Sequence, residues 1–424
     1  MRARAAGVAD GLITGRPEVA DEVEAPERPM REKAGEFLRA LPWWVRVLAI
    51  FAASRLVSTA LLLGFARVQA NNAWTLAHPV YADYAKIWDG QWYYIVSQVG
   101  YPTTLPLTDA GQVAQNAWAF LPVFPMLIKG LMVLTGAAFA PTAVVVSVAA
   151  AAVTCVVFFR ILRRFLPAST SYFAVLLFCV APLSPLLQVA YAESLFLLLI
   201  AVALWLLLER QYWLMLAVLA VASFTRPGVV AFALALALHW GHRWLVRERE
   251  PFPPAERLKV GIVAVATGLL GFAWPVVAAL ATGRLDAYTA TELSWRADYV
   301  GYGHLLPFTP WVQGANWWVP GGAGIVFLVV AVALFVLLML SPWVRRLPLD
   351  LRFWIVAYVV YLLAVFFPQS STFRVLMPIF PLLGALAIPR SRVYRVLIVA
   401  GGIVGQFAWL YICWWVNGYD WTPP

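Results

Sequence analysis

Charge is scarce in this chain. Only 12% of its 424 residues are Asp, Glu, Lys or Arg and 62% are hydrophobic, whereas a soluble domain is about half apolar and a quarter charged. The shortage argues against an ordinary water-soluble fold. Cysteine is rarer still: Cys155, Cys179 and Cys413 stand in apolar stretches with no paired spacing and no His close by, which excludes a disulfide framework and a cysteine-based metal site. No carboxylate pair stands at ligand spacing either, so neither a metal nor a bound cofactor is expected. There is no nucleic-acid motif to go with the net charge of +10, so the excess of 31 Lys+Arg over 21 Asp+Glu is read as basic cytoplasmic loops. The first apolar run lacks a small-residue cleavage site behind it, and residues 1–42 are expected to remain attached as a disordered cytoplasmic arm of mixed charge, Pro, Gly and Ala.

Long apolar stretches recur from about residue 45 to residue 416. They predict one all-α polytopic membrane domain over 43–418, a bundle of about 11 transmembrane segments with a long first extracytoplasmic loop. Spans are expected at 45–66, 140–160, 171–189, 192–208, 258–281, 321–341, 353–367, 373–389 and 393–415. Residues 117–136 carry Pro122, Pro125 and Lys129 and are read as an interfacial or re-entrant segment. The stretch 212–241 is interrupted by Thr225-Arg226-Pro227-Gly228, where proline removes a backbone donor and disfavours helix in the residue before it. Two half-length helices meeting at a polar tip are predicted, with the tip in protein or water.

The basic residues orient this arrangement, because Lys and Arg near span ends gather on the cytoplasmic side. In the order given, 23 of the 31 Lys and Arg fall inside and seven outside, with Arg55 within the first span and read as structural. The first loop, the tip at Arg226, the loop 283–320 and the turn from Gln369 to Arg374 then share the extracytoplasmic face, away from cytosolic nucleotide sugars and ATP. His239 and His242 fall beside the cytoplasmic basic cluster, where no chemistry is assigned to them.

The densest polar and aromatic cluster runs from Asp83 through Trp88-Asp89-Gly90-Gln91-Trp92-Tyr93-Tyr94-Ile95 to Gly100-Tyr101. Aromatic faces beside a carboxylate suit a sugar: the rings cover the C–H side of a pyranose and the carboxylate accepts or removes a hydroxyl proton. The competing reading is an aromatic belt at the membrane surface.

The run from Trp88 to Ile95 with Gly100-Tyr101 resembles the first-loop motif of the PIG-V family of mannosyltransferases, integral membrane enzymes of the GT-C class. Ala119-Phe120-Leu121-Pro122-Val123-Phe124-Pro125 resembles that family's Phe- and Pro-rich segment. Tyr191-Ala192-Glu193-Ser194 with Ser223-Phe224-Thr225-Arg226-Pro227 resembles its central motifs, and Phe373-Arg374-Val375-Leu376 with Phe380-Pro381 its late one. The Ala- and Arg-rich composition fits a bacterial homologue. The resemblance implies a GT-C type helical bundle that transfers mannose from a polyprenyl-phosphate-mannose donor to a hydroxyl of a lipid-linked or cell-envelope glycan. It places the catalytic carboxylate at Asp89.

One carboxylate suffices for such a step, because phosphate leaves as a stable anion and needs no general acid, unlike the two-carboxylate hydrolysis of a glycoside. Asp89 is the candidate base, and Arg226 and Arg374 are the candidate donor-phosphate cations, since arginine's planar fork matches phosphate and a charge at membrane depth is costly without a purpose. The alternative for both arginines is structural pairing with Glu193 or Asp298. Asp83, Trp88, Gln91, Trp92, Tyr93, Glu193, Arg296, Asp298 and His304 are candidate sugar- or acceptor-binding residues, with Glu292 and Trp295 in the same later loop. The competing class is a lipid-linked sugar transporter or flippase, for which broken helices and buried arginines also speak, though no internal repeat joins the halves. A GT-C transferase of another sugar remains open within the enzymes. Expected partners are the lipid-linked donor, the glycan acceptor and membrane lipids, with no nucleic acid.

Overall fold

The computed structural model describes residues 40–303 and 306–417, and the chain divides into two compact units, Met1–Arg46 and Val47–Pro424. The expected arm falls almost wholly outside the described residues, as does candidate residue His304. Among the described residues there is no strand, only an isolated antiparallel bridge between Leu107 and Val113 in the first loop.

Helices of eight residues or more are numbered here in chain order. They are α1 (Trp43–Val68), α2 (Asp89–Val99), α3 (Val123–Thr135), α4 (Phe139–Leu162), α5 (Ala168–Val180), α6 (Glu193–Leu208), α7 (Tyr212–Ser223) and α8 (Val230–Leu245). There follow α9 (Pro254–Leu270), α10 (Ala273–Thr282), α11 (Ala287–Ser294), α12 (Thr309–Trp318), α13 (Ala323–Leu340), α14 (Leu349–Val365) and α15 (Arg392–Trp409). Among the described residues, five stretches are long and apolar enough to cross a membrane: α1, α4, α9 continued by α10, α13, and α15 with the π-helical turn to Trp414. The described chain is all-helical and has the make-up of a helical membrane protein. Several other apolar helices are shorter, such as α3 and α5 with 13 residues each, about 20 Å at 1.5 Å per residue against a hydrocarbon core of about 30 Å.

Two predicted spans take another form. Over 373–389 there is no continuous helix but a chain of short turns, Thr372–Val375, Met377–Ile379 and Leu382–Leu386, because Pro378 and Pro381 each remove a backbone donor. Over 171–189 the helix stops at Val180 and the chain continues as a 3-10 turn, Ser184–Gln188, again in a stretch holding two prolines, Pro182 and Pro185. The carbonyls freed there are met by Arg55, whose guanidinium donates to Cys179 O at 2.6 Å and Ser184 O at 2.5 Å. This buried arginine of α1 thus caps the end of α5 and satisfies donors and acceptors at once, in line with the structural reading. The predicted break in 212–241 falls between α7 and α8.

The first loop is docked. Tyr84, Ile87 and Trp88 pack with Leu186, Tyr191 and Trp414 in one buried cluster. Trp414 Nε1 donates to Tyr84 O at 3.2 Å, and the Gln69 amide exchanges hydrogen bonds with the Val416 backbone. The segment that begins α2 is thereby held between the 184–192 turn and the end of the described chain.

Candidate functional site

Asp89 is the first residue of α2, and Trp88 before it has φ of 60°. A bulky residue in this left-handed region costs on the order of 1–3 kcal/mol and persists only where its surroundings enforce it. Here Trp88 is buried against Trp74, with ring centroids 5.2 Å apart. The Asp89 backbone N–H donates to the Tyr191 hydroxyl at 3.2 Å, and the Asp89 carboxylate forms a short ion pair with Arg374.

Glu193, the first residue of α6 and 4% exposed, continues the chain of charges. Its Oε1 lies 2.7 Å from Arg226 Nη1 and 3.3 Å from Arg374 Nη1. The result is a linear arrangement, Asp89, Arg374, Glu193, Arg226, in which signs alternate. Helix dipoles support it, because both acids sit in the first turn of a helix and Arg226 lies just past the end of α7. Arg374 also stands over the Tyr191 ring, 5.4 Å from its centroid, a favourable place for a desolvated cation. Arg226 reaches the cluster because the tip between α7 and α8 presses on α14: at Gly228, φ 123°, a Cβ would lie 3.1 Å from the Tyr358 ring. Only glycine combines that dihedral with that contact.

The four charges line one cavity of about 1220 Å³. Beside them stands an aromatic group in which Trp92 stacks on Phe120 at 5.4 Å while Trp295 meets both edge-on at 5.6 Å. The cavity lining also includes apolar side chains, among them Leu197, Val230, Leu234, Phe272, Val360 and Val365. From α11 come Tyr288 and Glu292, with Arg296 four residues further on. Burial pushes the Glu292 carboxyl above the ordinary glutamate range, against the opposing pull of the Arg296 charge and a hydrogen bond from the Tyr288 hydroxyl.

The fold therefore gathers Trp88, Asp89, Trp92, Tyr93, Glu193, Arg226, Arg296, Asp298 and Arg374 around one space. Tyr93 is 2% exposed and packed edge-on against Phe120 and Phe124, so it builds the wall and presents no open face to a sugar. Two candidates are not brought there. Gln91 turns its amide to Trp74 O at 3.3 Å, and Asp83 lines a separate, smaller recess with His78 and Lys86. Tyr191, Phe120, Tyr288, Tyr358 and Tyr361 are site residues without a role in the sequence reading. The spacing of Tyr288, Glu292 and Arg296 by fours was the one local signal available for α11. Among the described residues no three His, Cys, Asp or Glu side chains are grouped to hold a metal ion. Compared with known proteins, the chain matches no family model and no curated sequence.

Proposed function

We propose that this chain is a membrane-embedded glycosyltransferase that moves a sugar, mannose by its motif resemblance, from a polyprenyl-phosphate donor to a hydroxyl of a lipid-linked or envelope glycan at the extracytoplasmic face. The observation that carries the reading is the buried chain Asp89, Arg374, Glu193, Arg226 in a cavity whose lining is otherwise mostly apolar. Buried ionic chains are costly unless fully paired. A cavity that joins ionic groups to aliphatic side chains fits an amphiphile with a charged head and a hydrocarbon tail.

In the inverting step the acceptor oxygen attacks the anomeric carbon, Asp89 takes the hydroxyl proton, and the carbon–oxygen bond to phosphate breaks. The products are a glycoside of inverted configuration and polyprenyl phosphate. Asp89 rests paired with Arg374. As negative charge grows on the departing phosphate, Arg374 gains a further anionic partner beside Asp89 and Glu193, and the Asp89 carboxylate is freed to accept the proton.

The orientation is supported by which helix ends carry which groups. α6 runs from Glu193 at the cavity to the Arg164–Glu209 pair beyond its other end. α8 has Val230 at the cavity and Arg243, paired with Glu256, near its far end. α14 has Val365 at the cavity and Asp350, 2.7 Å from His239, at the opposite end. The basic clusters and the cavity thus lie at opposite ends of the same helices, which under the positive-inside rule supports an extracytoplasmic cavity.

Transport of a lipid-linked sugar is the second reading, favoured by the broken pair α7 and α8 with Arg226 at its tip. One reconstituted preparation separates the two. With radiolabelled polyprenyl-phosphate mannose and membrane lipid acceptors, a transferase yields a labelled glycoside, whereas movement of the donor across sealed vesicles without any new glycoside would overturn the enzyme reading. Substituting polyprenyl-phosphate glucose or arabinose in the same assay tests the sugar.

A further inference from the structure

Three guanidinium groups line the cavity, those of Arg226, Arg296 and Arg374. Two are already matched: Arg226 by Glu193, and Arg374 by Asp89 and Glu193. That four-residue chain is formally neutral, so an arriving anion meets partial charges from it but no net attraction. Arg296 is different. Among the described residues it forms no ion pair within 4.0 Å, and its hydrogen bond to the Val365 carbonyl is a long one of 3.4 Å from Nη1. It continues the cavity-facing spacing of Tyr288 and Glu292.

Position adds to charge. Val365, whose carbonyl Arg296 touches, ends α14 and belongs to the apolar lining together with Val360 and Phe366. The unmatched cation therefore meets the end of α14, with its apolar side chains, in the same cavity that holds the ionic chain. An anionic head held by Arg296 leaves its tail beside α14.

We propose that Arg296 is the residue that recognises the phosphate ester of a lipid in this cavity, while Arg226 and Arg374 hold Asp89 and Glu193 in place and act on the phosphate only as charge develops during reaction. The assignment rests on the transferase reading for the role of that lipid as sugar donor, but not for its binding. Guanidinium and phosphate oxygens match as a bidentate pair, which a lysine reproduces only as a point charge.

The test is binding to the full chain in nanodiscs, with undecaprenyl phosphate, uncharged undecaprenol and inorganic phosphate as probes. Wild type is expected to hold undecaprenyl phosphate roughly tenfold or more tighter than undecaprenol, the worth of a charge-assisted hydrogen bond. Arg296→Ala should abolish that preference and Arg296→Lys keep part of it, with undecaprenol binding unchanged in both. A preference that survives in Arg296→Ala overturns the assignment. Saturable binding of inorganic phosphate as tight as that of the lipid overturns the lipid part of it. These outcomes are independent of turnover. A wild type that discriminates through Arg296 yet forms no glycoside sinks the transferase reading alone, and glycoside formation indifferent to Arg296 sinks this inference alone.

Discussion

Replacing Glu193 with Gln keeps its shape and removes one charge from the middle of the ionic chain. Glu193 is 4% exposed and serves two arginines, at 2.7 and 3.3 Å. After the change two guanidiniums share a single carboxylate, that of Asp89. A charge pair at about 4 Å is worth on the order of 4 kcal/mol at an effective dielectric constant near 20, and breaking a buried pair costs about 3–5 kcal/mol. The Gln oxygen keeps a dipole beside the Arg226 guanidinium, so a loss near the low end, about 3 kcal/mol, is expected in reversible unfolding from mixed micelles. Removing Arg226 as well, in Glu193→Gln with Arg226→Gln, returns the cluster to the neutral Asp89–Arg374 pair. The double variant should therefore be less destabilised than the two single losses together, by about 1–3 kcal/mol of coupling. Additivity within about 0.5 kcal/mol would mean that the two side chains act independently and that the alternating chain is not a unit.

Asp89→Asn should lower turnover by about two to four powers of ten with the fold intact, the usual worth of a general base; a variant with near-normal turnover would remove Asp89 from the chemistry. Glu292 tests the electrostatics of the α11 side of the cavity. Burial raises its proton affinity in the folded state, so the folded protein holds a proton that the unfolded chain releases near pH 4.3, the approximate unperturbed value. The resulting stabilisation is complete below that pH and is lost as pH rises through the raised folded value. Glu292→Gln, always neutral, should flatten this part of the stability–pH curve, and an unchanged curve would show that the carboxyl binds its proton no more tightly in the folded state than in the unfolded one. For topology, Leu107→Cys should react with an impermeant thiol reagent in intact cells and Arg247→Cys should not; the reverse pattern would invert the proposed orientation.

The break between α7 and α8 was legible because its causes are local: Pro227 and Gly228 act on their own backbone, whatever surrounds them. The same locality was underused at Pro378 and Pro381, where apolar composition outweighed two prolines and a span was expected in place of short turns. Composition reports burial, and burial alone does not distinguish a membrane-crossing helix from a folded-back segment packed inside the bundle. Asp89, Glu193, Arg226 and Arg374 stood out as charges among apolar neighbours. Pairing of the two arginines with Glu193 was an alternative open from the sequence; the pairing of Asp89 with Arg374 was not, since they are separated by 285 positions and nothing in either stretch specifies the other. Cys155 and Cys179 make the same point: their sulfurs lie 3.5 Å apart on α4 and α5, although spacing along the chain showed no pair.

The helices that carry the cavity at one end and ionic pairs at the other are short. α6 and α8 have 16 residues each and α14 has 17, about 24–26 Å at 1.5 Å per residue. In the proposed orientation both ends of each are pinned by polar groups that resist burial in lipid, while the hydrocarbon core measures about 30 Å. Tilting worsens such a mismatch, so the bilayer has to thin around this side of the bundle or water has to fill the cavity mouth. Either accommodation brings the aqueous boundary down to the charges. Bilayer thickness then becomes a control variable of the protein, with shorter acyl chains relieving the mismatch and longer ones straining the polar contacts at both helix ends.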